Sequence, residues 1–231
     1  MVRYKELGLK FNCLYEILAT TFSLNSKEHK ILPNTSCMGI RLINDSIITI
    51  SPYPNTMTLK NLRNHRIIAL NFVDDIYLYA LVGLKKLNSN SHFVEFPSTY
   101  YSYYNKIKNI SIPYINKSWG LIFCKAVEEK EIIKKDGLGK LKLSEFTLNV
   151  ISIEKLKESY KLFNRAENLV LEIILLATRL KIVKEKNDIS LYNEIHEKII
   201  NYIENVKRFG KNDRALKTIN LVEKYLKSFM D

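Results

Sequence analysis

Ser51-Pro-Tyr-Pro-Asn-Thr-Met-Thr-Leu-Lys-Asn-Leu-Arg63 concentrates hydroxyls, an amide and cations in one turn between two strand-like runs. Ser46 to Ile50 reads as a β-run before it and Ile67 to Val73 as another after it, so the polar stretch is expected as a loop with a short helical turn starting near Thr58. That chemistry suits a phosphate. Thr56 and Thr58 each carry a hydroxyl donor, Asn61 an amide donor, and Lys60 or Arg63 a cation for charge-assisted bonds to phosphate oxygens. A helix N-terminus there adds free N–H groups. The same residues also suit a proline-rich turn followed by a helical turn capped by Thr56 or Thr58, with the cations solvated. Taken alone, this second reading carries at least equal weight.

Three other segments shift the balance, each a strand edge carrying small polar side chains: Tyr15-Glu-Ile-Leu-Ala-Thr-Thr21, Pro33-Asn-Thr-Ser-Cys-Met-Gly-Ile40 and Asn71-Phe-Val-Asp-Asp75. In their order and spacing, Glu16 to Thr20, Asn34 to Gly39, Ser51 to Leu62 and Asn71 to Asp74 or Asp75 resemble the motifs of a mainly archaeal domain-of-unknown-function family, DUF447, that binds FMN on a split β-barrel. Phe163-Asn-Arg-Ala166, Glu172 and Ala177-Thr-Arg-Leu180 are similar to that family's helical tail. Two positions depart from the family pattern: Ser51 stands where the family has Arg, and Ser36-Cys37 where it has Ala-Pro.

The resemblance implies a mainly β chain with added helices, a split β-barrel of the flavin-reductase and pyridoxamine-oxidase kind followed by a C-terminal helical subdomain packed on it. It also implies FMN as cofactor. Thr56, Thr58, Lys60 and Asn61 would then hold the phosphate, Asn34 and Ser36 the flavin's polar edge, and Met38-Gly39 would face the isoalloxazine. Thr20 and Asn71 complete the expected set with Arg165, which either crosses to a phosphate or ribityl group or pairs with Glu167 or Glu172. A homodimer with FMN near its interface, and a small-molecule electron donor or acceptor, follow from the same resemblance. Because FMN itself accepts hydride or electrons, such an oxidoreductase needs no acid–base motif. A flavin carrier or sensor without turnover is the alternative, and a basic nucleic-acid or protein-interaction scaffold the third reading.

Composition bounds these readings. At 231 residues and 46% hydrophobic content the chain can bury one large or two small cores. No apolar run reaches transmembrane length, and Met1-Val-Arg-Tyr-Lys-Glu6 has no apolar signal core, so a cytoplasmic protein is expected. Cys13, Cys37 and Cys124 are scattered and read as reduced thiols; His29, His65, His92 and His196 form no metal or catalytic pattern. The net charge of +12 is spread out: residues 1–150 hold 20 Lys+Arg against 12 Asp+Glu, and residues 151–231 hold 16 against 12. A nucleic-acid module concentrates its cations on one face. The best local candidate, Tyr100-Tyr-Ser-Tyr-Tyr104 with Lys106 and Lys108, suits base stacking, but such a cluster more often closes a barrel or, here with Tyr114 and Trp119, lines a dimer contact.

Period-two apolar runs at 17–21, 38–42, 47–50, 67–72, 121–127 and 141–150 predict barrel strands, with turns at Asn44-Asp45, Pro52, Asn88 to Ser91, Pro113 and Asp136-Gly137. Asp74-Asp75 before Ile76 to Leu84 predicts the acidic start of a short helix. From Ser152 onward the period becomes helical. Leu169 to Leu180, Leu191 to Val206 and Leu216 to Phe229 predict three amphipathic helices, with Gly210 ending the second and Asn212 or Asp213 capping the third. Two domains are therefore expected, 1–151 and 152–231.

Overall fold

A computed structural model describes residues 4–12, 14–25, 30–84, 96–107, 110–136, 139–159, 165–208 and 213–230. In chain order the elements are β1 (Leu14–Asn25), β2 (Lys30–Leu42), β3 (Ile47–Ile50), α1 (Met57–His65), β4 (Ile67–Phe72), α2 (Ile76–Gly83), β5 (Tyr101–Ile107), β6 (Ile110–Ile115), β7 (Gly120–Asp136), β8 (Gly139–Lys155), α3 (Arg165–Glu185), α4 (Ile189–Arg208) and α5 (Asp213–Met230). They form two compact units, Met1–Asp74 with Ser98–Ser159, and Asp75–Pro97 with Tyr160–Asp231. The change of period at Ile151-Ser152 thus falls inside β8, which continues to Lys155.

In the first unit six antiparallel strands close a barrel in the order β1-β2-β3-β8-β7-β4. Alternation sorts their side chains. Ile17, Met38, Ile40, Ile48, Ile50, Ile68, Leu70, Ile122, Phe146 and Leu148 form the inner core, and Leu59 and Leu62 of α1 join it. Outside the β4–β7 wall, Ala69, Leu121 and Phe123 meet a second layer containing Ile112, Tyr104 and Tyr114. That layer is the β5–β6 ribbon. Covered on both faces, β4 is buried at every position, which explains why its sequence is apolar except for Asn71.

The ribbon corrects one expectation: Pro113 lies within β6, opposite Tyr103, instead of making a turn, and the tyrosine-rich run at 101–107 is its partner strand. A two-stranded ribbon leaves one edge of each strand unpaired, where a missing N–H costs nothing. The aromatic side chains are largely spent inside the unit: Tyr104 stacks on Phe123 at 4.3 Å, Tyr114 meets the same ring edge-on, and Trp119 packs against Phe72.

The barrel closes over a short seam, since β1 and β4 pair only at Leu18↔Asn71, Ala19↔Leu70 and Thr20↔Ala69. Asn71 reinforces it. Its Nδ2 donates to the Leu18 carbonyl (2.6 Å), Thr20 Oγ1 (3.0 Å) and the Ala69 carbonyl (3.0 Å), while its Oδ1 accepts from the Ile115 N–H (2.7 Å).

In the second unit α2 starts at Asp75, whose Oδ1 accepts from the Tyr77 N–H at 3.0 Å and whose carboxylate pairs with Arg214. Asp75, not Asp74, is the cap. The helix is apolar on nearly every side, and Ile76, Leu78, Tyr79, Ala80, Leu81 and Val82 are buried. The helices α3, α4 and α5 bury stripes at helical spacing, among them Ile173, Ala177 and Leu180, then Ile195, Ile199, Ile203 and Val206, then Ile219, Val222 and Leu226. The Gly210 and Asn212 expectations, and that of a turn at Asn88 to Ser91, lie outside the described residues.

Replacing Asn71 by Ala leaves the Ile115 N–H without its acceptor and removes the Nδ2 donor to Leu18, Thr20 and Ala69, and each buried unsatisfied group costs about 1–3 kcal/mol. The expected result is a loss of roughly 3 kcal/mol or more in urea unfolding. Asn71→Asp, which keeps the shape but loses the donors, should recover little.

Candidate functional site

The Ser51–Arg63 stretch folds as the turn before α1 and all of the helix except its last two residues. Thr56 is the N-cap in extended conformation (φ −89°, ψ 152°). Its hydroxyl donates to the Tyr53 carbonyl (2.8 Å) and accepts from the Leu59 N–H (3.3 Å), so the cap uses both its capacities. The first turn of α1 has no carboxylate to offset the positive end of the helix dipole. Arg66, in the left-handed region at φ 59°, ends the helix by donating its N–H to the Leu62 carbonyl.

One turn of α1 faces the inner side of the β1–β2 pair. The register Ile17↔Met38, Ala19↔Ser36, Thr21↔Asn34 puts these six residues on that face. Thr58, 1% exposed, accepts from Asn34 Nδ2 (3.1 Å) and shares a proton with Ser36 Oγ (2.8 Å). Asn61, also 1% exposed, donates from Nδ2 to Thr21 Oγ1 (3.2 Å), and Thr21 in turn donates to the Asn34 carbonyl (3.4 Å). Asn61 Oδ1 is buried and makes no hydrogen bond among the described residues. Turning the amide over merely exchanges its ends: one end of Asn61 remains unspent either way.

The opposite face of the same strands carries a second polar chain. Thr20 Oγ1 shares a proton with Thr35 Oγ1 (2.9 Å), and Thr35 with the Tyr101 hydroxyl (2.8 Å), while Asn71 donates to Thr20. Burial, more than any other influence, pushes the Tyr101 phenol up to about 12, so it remains protonated and able to donate at neutral pH.

The structure therefore brings Asn34, Ser36, Thr56, Thr58 and Asn61 together at the α1–β2 corner, with Lys60 exposed on the same helix. Thr20 and Asn71 stand on the other face of the wall, both fully buried and bonded within the protein. Met38 is 8% exposed, its side chain inside the barrel core. Arg165 opens α3, and its side chain lies outside the described ones. Thr21, Thr35 and Tyr101 were not anticipated. Alternation along Thr20-Thr21 was the available signal for Thr21; Tyr101 reaches Thr35 only through long-range pairing.

Arg63, one of the cations offered to a phosphate, is committed elsewhere. Its guanidinium donates to both Glu129 oxygens (2.6 and 3.3 Å) and to Ser144 Oγ (3.1 Å), tying α1 to the β7–β8 hairpin. Among the described residues no group of His, Cys, Asp and Glu could hold a metal ion. His65 stacks on Phe22 and His196 on Tyr192. Cys124 is buried in the barrel core, where desolvation raises its thiol, and Cys37 is half-buried; Cys13 lies outside the described residues.

A closed six-stranded barrel with an α1-capped polar corner, followed by a helical unit, is a split β-barrel. The family described as "Protein of unknown function (DUF447) N-terminal domain" matches residues 15–157, and the chain belongs to that family. A crystal structure of an FMN-bound DUF447 protein from Methanosarcina mazei superimposes with a TM-score of 0.72 at 17% identity, covering 96% of this chain and 100% of that one. The styrene monooxygenase flavin reductase of Pseudomonas putida S12 gives a TM-score of 0.43 at 8% identity over 62% of this chain and 82% of its own. The flavin reductase component of a bacterial two-component tryptophan halogenase gives 0.44 at 9% over 64% and 83%. No curated protein matches the sequence.

Two measurements check this geometry. Thr58→Val removes the oxygen that Asn34 and Ser36 share and should cost about 1–3 kcal/mol in urea unfolding; Lys60→Ala, at an exposed position, should stay within about 0.5 kcal/mol. The bond from Arg63 holds the Glu129 carboxyl below its ordinary range. A depressed carboxylate contributes stability that is fully present above the unfolded value of about 4.3 and lost as pH falls through the folded one. In a comparison of unfolding midpoints from pH 6 down to acid, Glu129→Gln should narrow its deficit relative to the parent as that window is crossed. A constant deficit across it would refute the pairing.

Proposed function

We propose that the chain binds FMN at the α1–β2 corner and acts as a flavin-dependent oxidoreductase of the flavin-reductase kind. One observation carries the reading: a capped helix N-terminus without a nearby carboxylate adjoins a hydroxyl and amide cluster in which a buried end of Asn61 is unspent. A buried polar group without a partner is costly, and a ligand that satisfies it recovers that cost. The donor set fits a ribityl phosphate. The N-terminal amides of α1, the Ser36 hydroxyl and the Lys60 ammonium suit the phosphate oxygens, and Asn34 and Asn61 suit ribityl or ring polar groups.

Bound FMN would supply the acceptor of hydride or electrons. The residues of the chain would bind and orient it. Thr56 fixes the helix end by capping, Thr58 holds Ser36 and Asn34 in place, and Thr20 and Asn71 brace the wall from behind. With the Met38 side chain spent in the core, the 38–39 stretch would meet the ring through its backbone. The FMN-bound family member with the same fold supports the assignment. Among the described residues no helix is long and apolar enough to cross a membrane.

A single compact phosphate corner and the absence of a GxGxxG turn favour FMN over FAD. Calorimetry with both flavins should show tighter FMN binding. A charge-assisted bond is worth about 1.5–3 kcal/mol, so Ser36→Ala should weaken FMN roughly tenfold, and Lys60→Ala, more solvated, by less. No flavin binding, or equal FAD affinity, rejects the assignment. Bleaching of the bound flavin by NADH or NADPH separates an oxidoreductase from a carrier.

The protein is further proposed to be a homodimer. Val127 and Ile133 on the β7–β8 hairpin are 47% and 67% exposed, which suits burial against a second copy. Light scattering at micromolar concentration decides the stoichiometry, and a monomer that still binds FMN rejects the dimer alone.

A further inference from the structure

The first residue of α1 is an exposed methionine. Met57 follows the Thr56 cap and is 48% exposed, whereas Met38, the other methionine whose side chain is described, is 8% exposed in the barrel core. Side chains on a helix lean toward its N-terminus, so a residue in the first turn stands beside the N–H groups that the helix itself leaves free. Those groups are identifiable here. Thr56 Oγ1 accepts from the Leu59 N–H (3.3 Å) and the Thr56 carbonyl from the Lys60 N–H (3.2 Å), while the N–H groups of Met57 and Thr58 donate to no acceptor among the described residues. The turn has no carboxylate, so both donors and the positive end of the dipole stay uncompensated within the chain.

A thioether is a weak acceptor for such donors, and oxidation changes that by making the side chain polar. The sulfoxide oxygen stands beyond Cβ, Cγ and Sδ, the same reach as the side-chain oxygen of a glutamine, a residue that meets free N–H groups in the first turn of helices. We propose that Met57 is an oxidation site through which hydrogen peroxide controls flavin binding: its sulfoxide oxygen occupies the N–H groups of Met57 and Thr58 that would otherwise face the FMN phosphate. The proposal rests on the flavin reading of the α1–β2 corner. In the step itself the O–O bond of hydrogen peroxide breaks, one oxygen forms the S–O bond as sulfur gives up an electron pair, and the other leaves as water. Hydrogen peroxide is also what dioxygen becomes on taking the electrons of a reduced flavin, so the oxidant arises from the chemistry proposed for this corner. Because methionine sulfoxide is reduced back enzymatically, the result is a reversible brake on a flavoprotein that loses electrons to dioxygen.

The test joins peptide mass mapping after limited peroxide treatment to calorimetric titration of the full chain with FMN. Met57 should gain an oxygen before the buried Met38 does. The oxidised chain should bind FMN about tenfold more weakly, as expected when a phosphate loses N–H partners. Methionine sulfoxide reductase should restore the affinity, and dithiothreitol, which reverses disulfide or sulfenate formation at a cysteine, should not. Met57→Gln, with its side-chain oxygen where the sulfoxide oxygen would be, should reproduce the weakening without peroxide. Met57→Leu keeps the N–H and an apolar side chain, and its affinity should be the same before and after peroxide. With FMN bound by the untreated parent, the proposal alone is overturned if Met38 is oxidised first, if oxidised Met57 or Met57→Gln binds FMN as tightly as the parent, or if Met57→Leu still loses affinity with peroxide. Absence of FMN binding by the untreated parent rejects the flavin reading, and the proposal with it.

Discussion

Closure of the barrel depends on the Asn71 amide. Three paired positions between β1 and β4 make a short seam, and a closed barrel loses its advantage over an open sheet if one seam frays. Asn71 places four hydrogen bonds there without using its own backbone. Two tie β4 to β1, a third returns to the Ala69 carbonyl of β4 itself, and the fourth, from the Ile115 N–H, fastens the covering ribbon to the same point. The Thr20–Thr35–Tyr101 chain extends this attachment across β2 to the other strand of the ribbon. A network this deeply buried stabilises only when complete, because low dielectric strengthens each bond and equally penalises each missing one.

The position of Asn71 in the sequence, at the end of a strand between apolar residues, does not disclose this. Small polar residues near Thr20, Asn34 and Asn71 were legible as a set, and the family resemblance gave them one purpose. Period two divides them into two. Ser36, Asn34 and Thr21 point to the inner face where α1 lies, whereas Thr20, Thr35 and Asn71 point to the outer face beneath the ribbon. A linear motif mixes the two faces because neighbouring residues on a strand diverge by half a turn. The turn chemistry of 51–63 was more readable, since capping is local: Thr56 serves as the N-cap, and the helix begins one residue before Thr58.

Strand existence was legible wherever one face was polar, as at 38–42, 47–50 and 141–150. It failed at β5 and β6, where tyrosines and a proline obscured the alternation and partners lay far along the chain. Nothing local distinguishes a tyrosine that stacks on Phe123 from one exposed like Tyr103, at 45%. The same holds for domain organisation. The α2 helix belongs with the C-terminal helices although barrel strands follow it in sequence, and only tertiary contact reveals that grouping.

The charge of the chain, too, acquires meaning only from placement. The charge of +12 is spread along the whole chain and is not concentrated in one segment. At α1 it is organised. Arg63 and His65 occupy the last turn, where cations complement the negative end of the dipole, and Glu129 neutralises Arg63 there. Lys60 and the uncompensated amides remain toward the other end, with no carboxylate in the first turn. The hairpin carboxylate therefore does more than hold α1 to β7. By occupying the C-terminal cation it leaves the positive potential of the helix concentrated at the N-terminal corner, beside Ser36 and Asn34, where an anionic ligand would meet it.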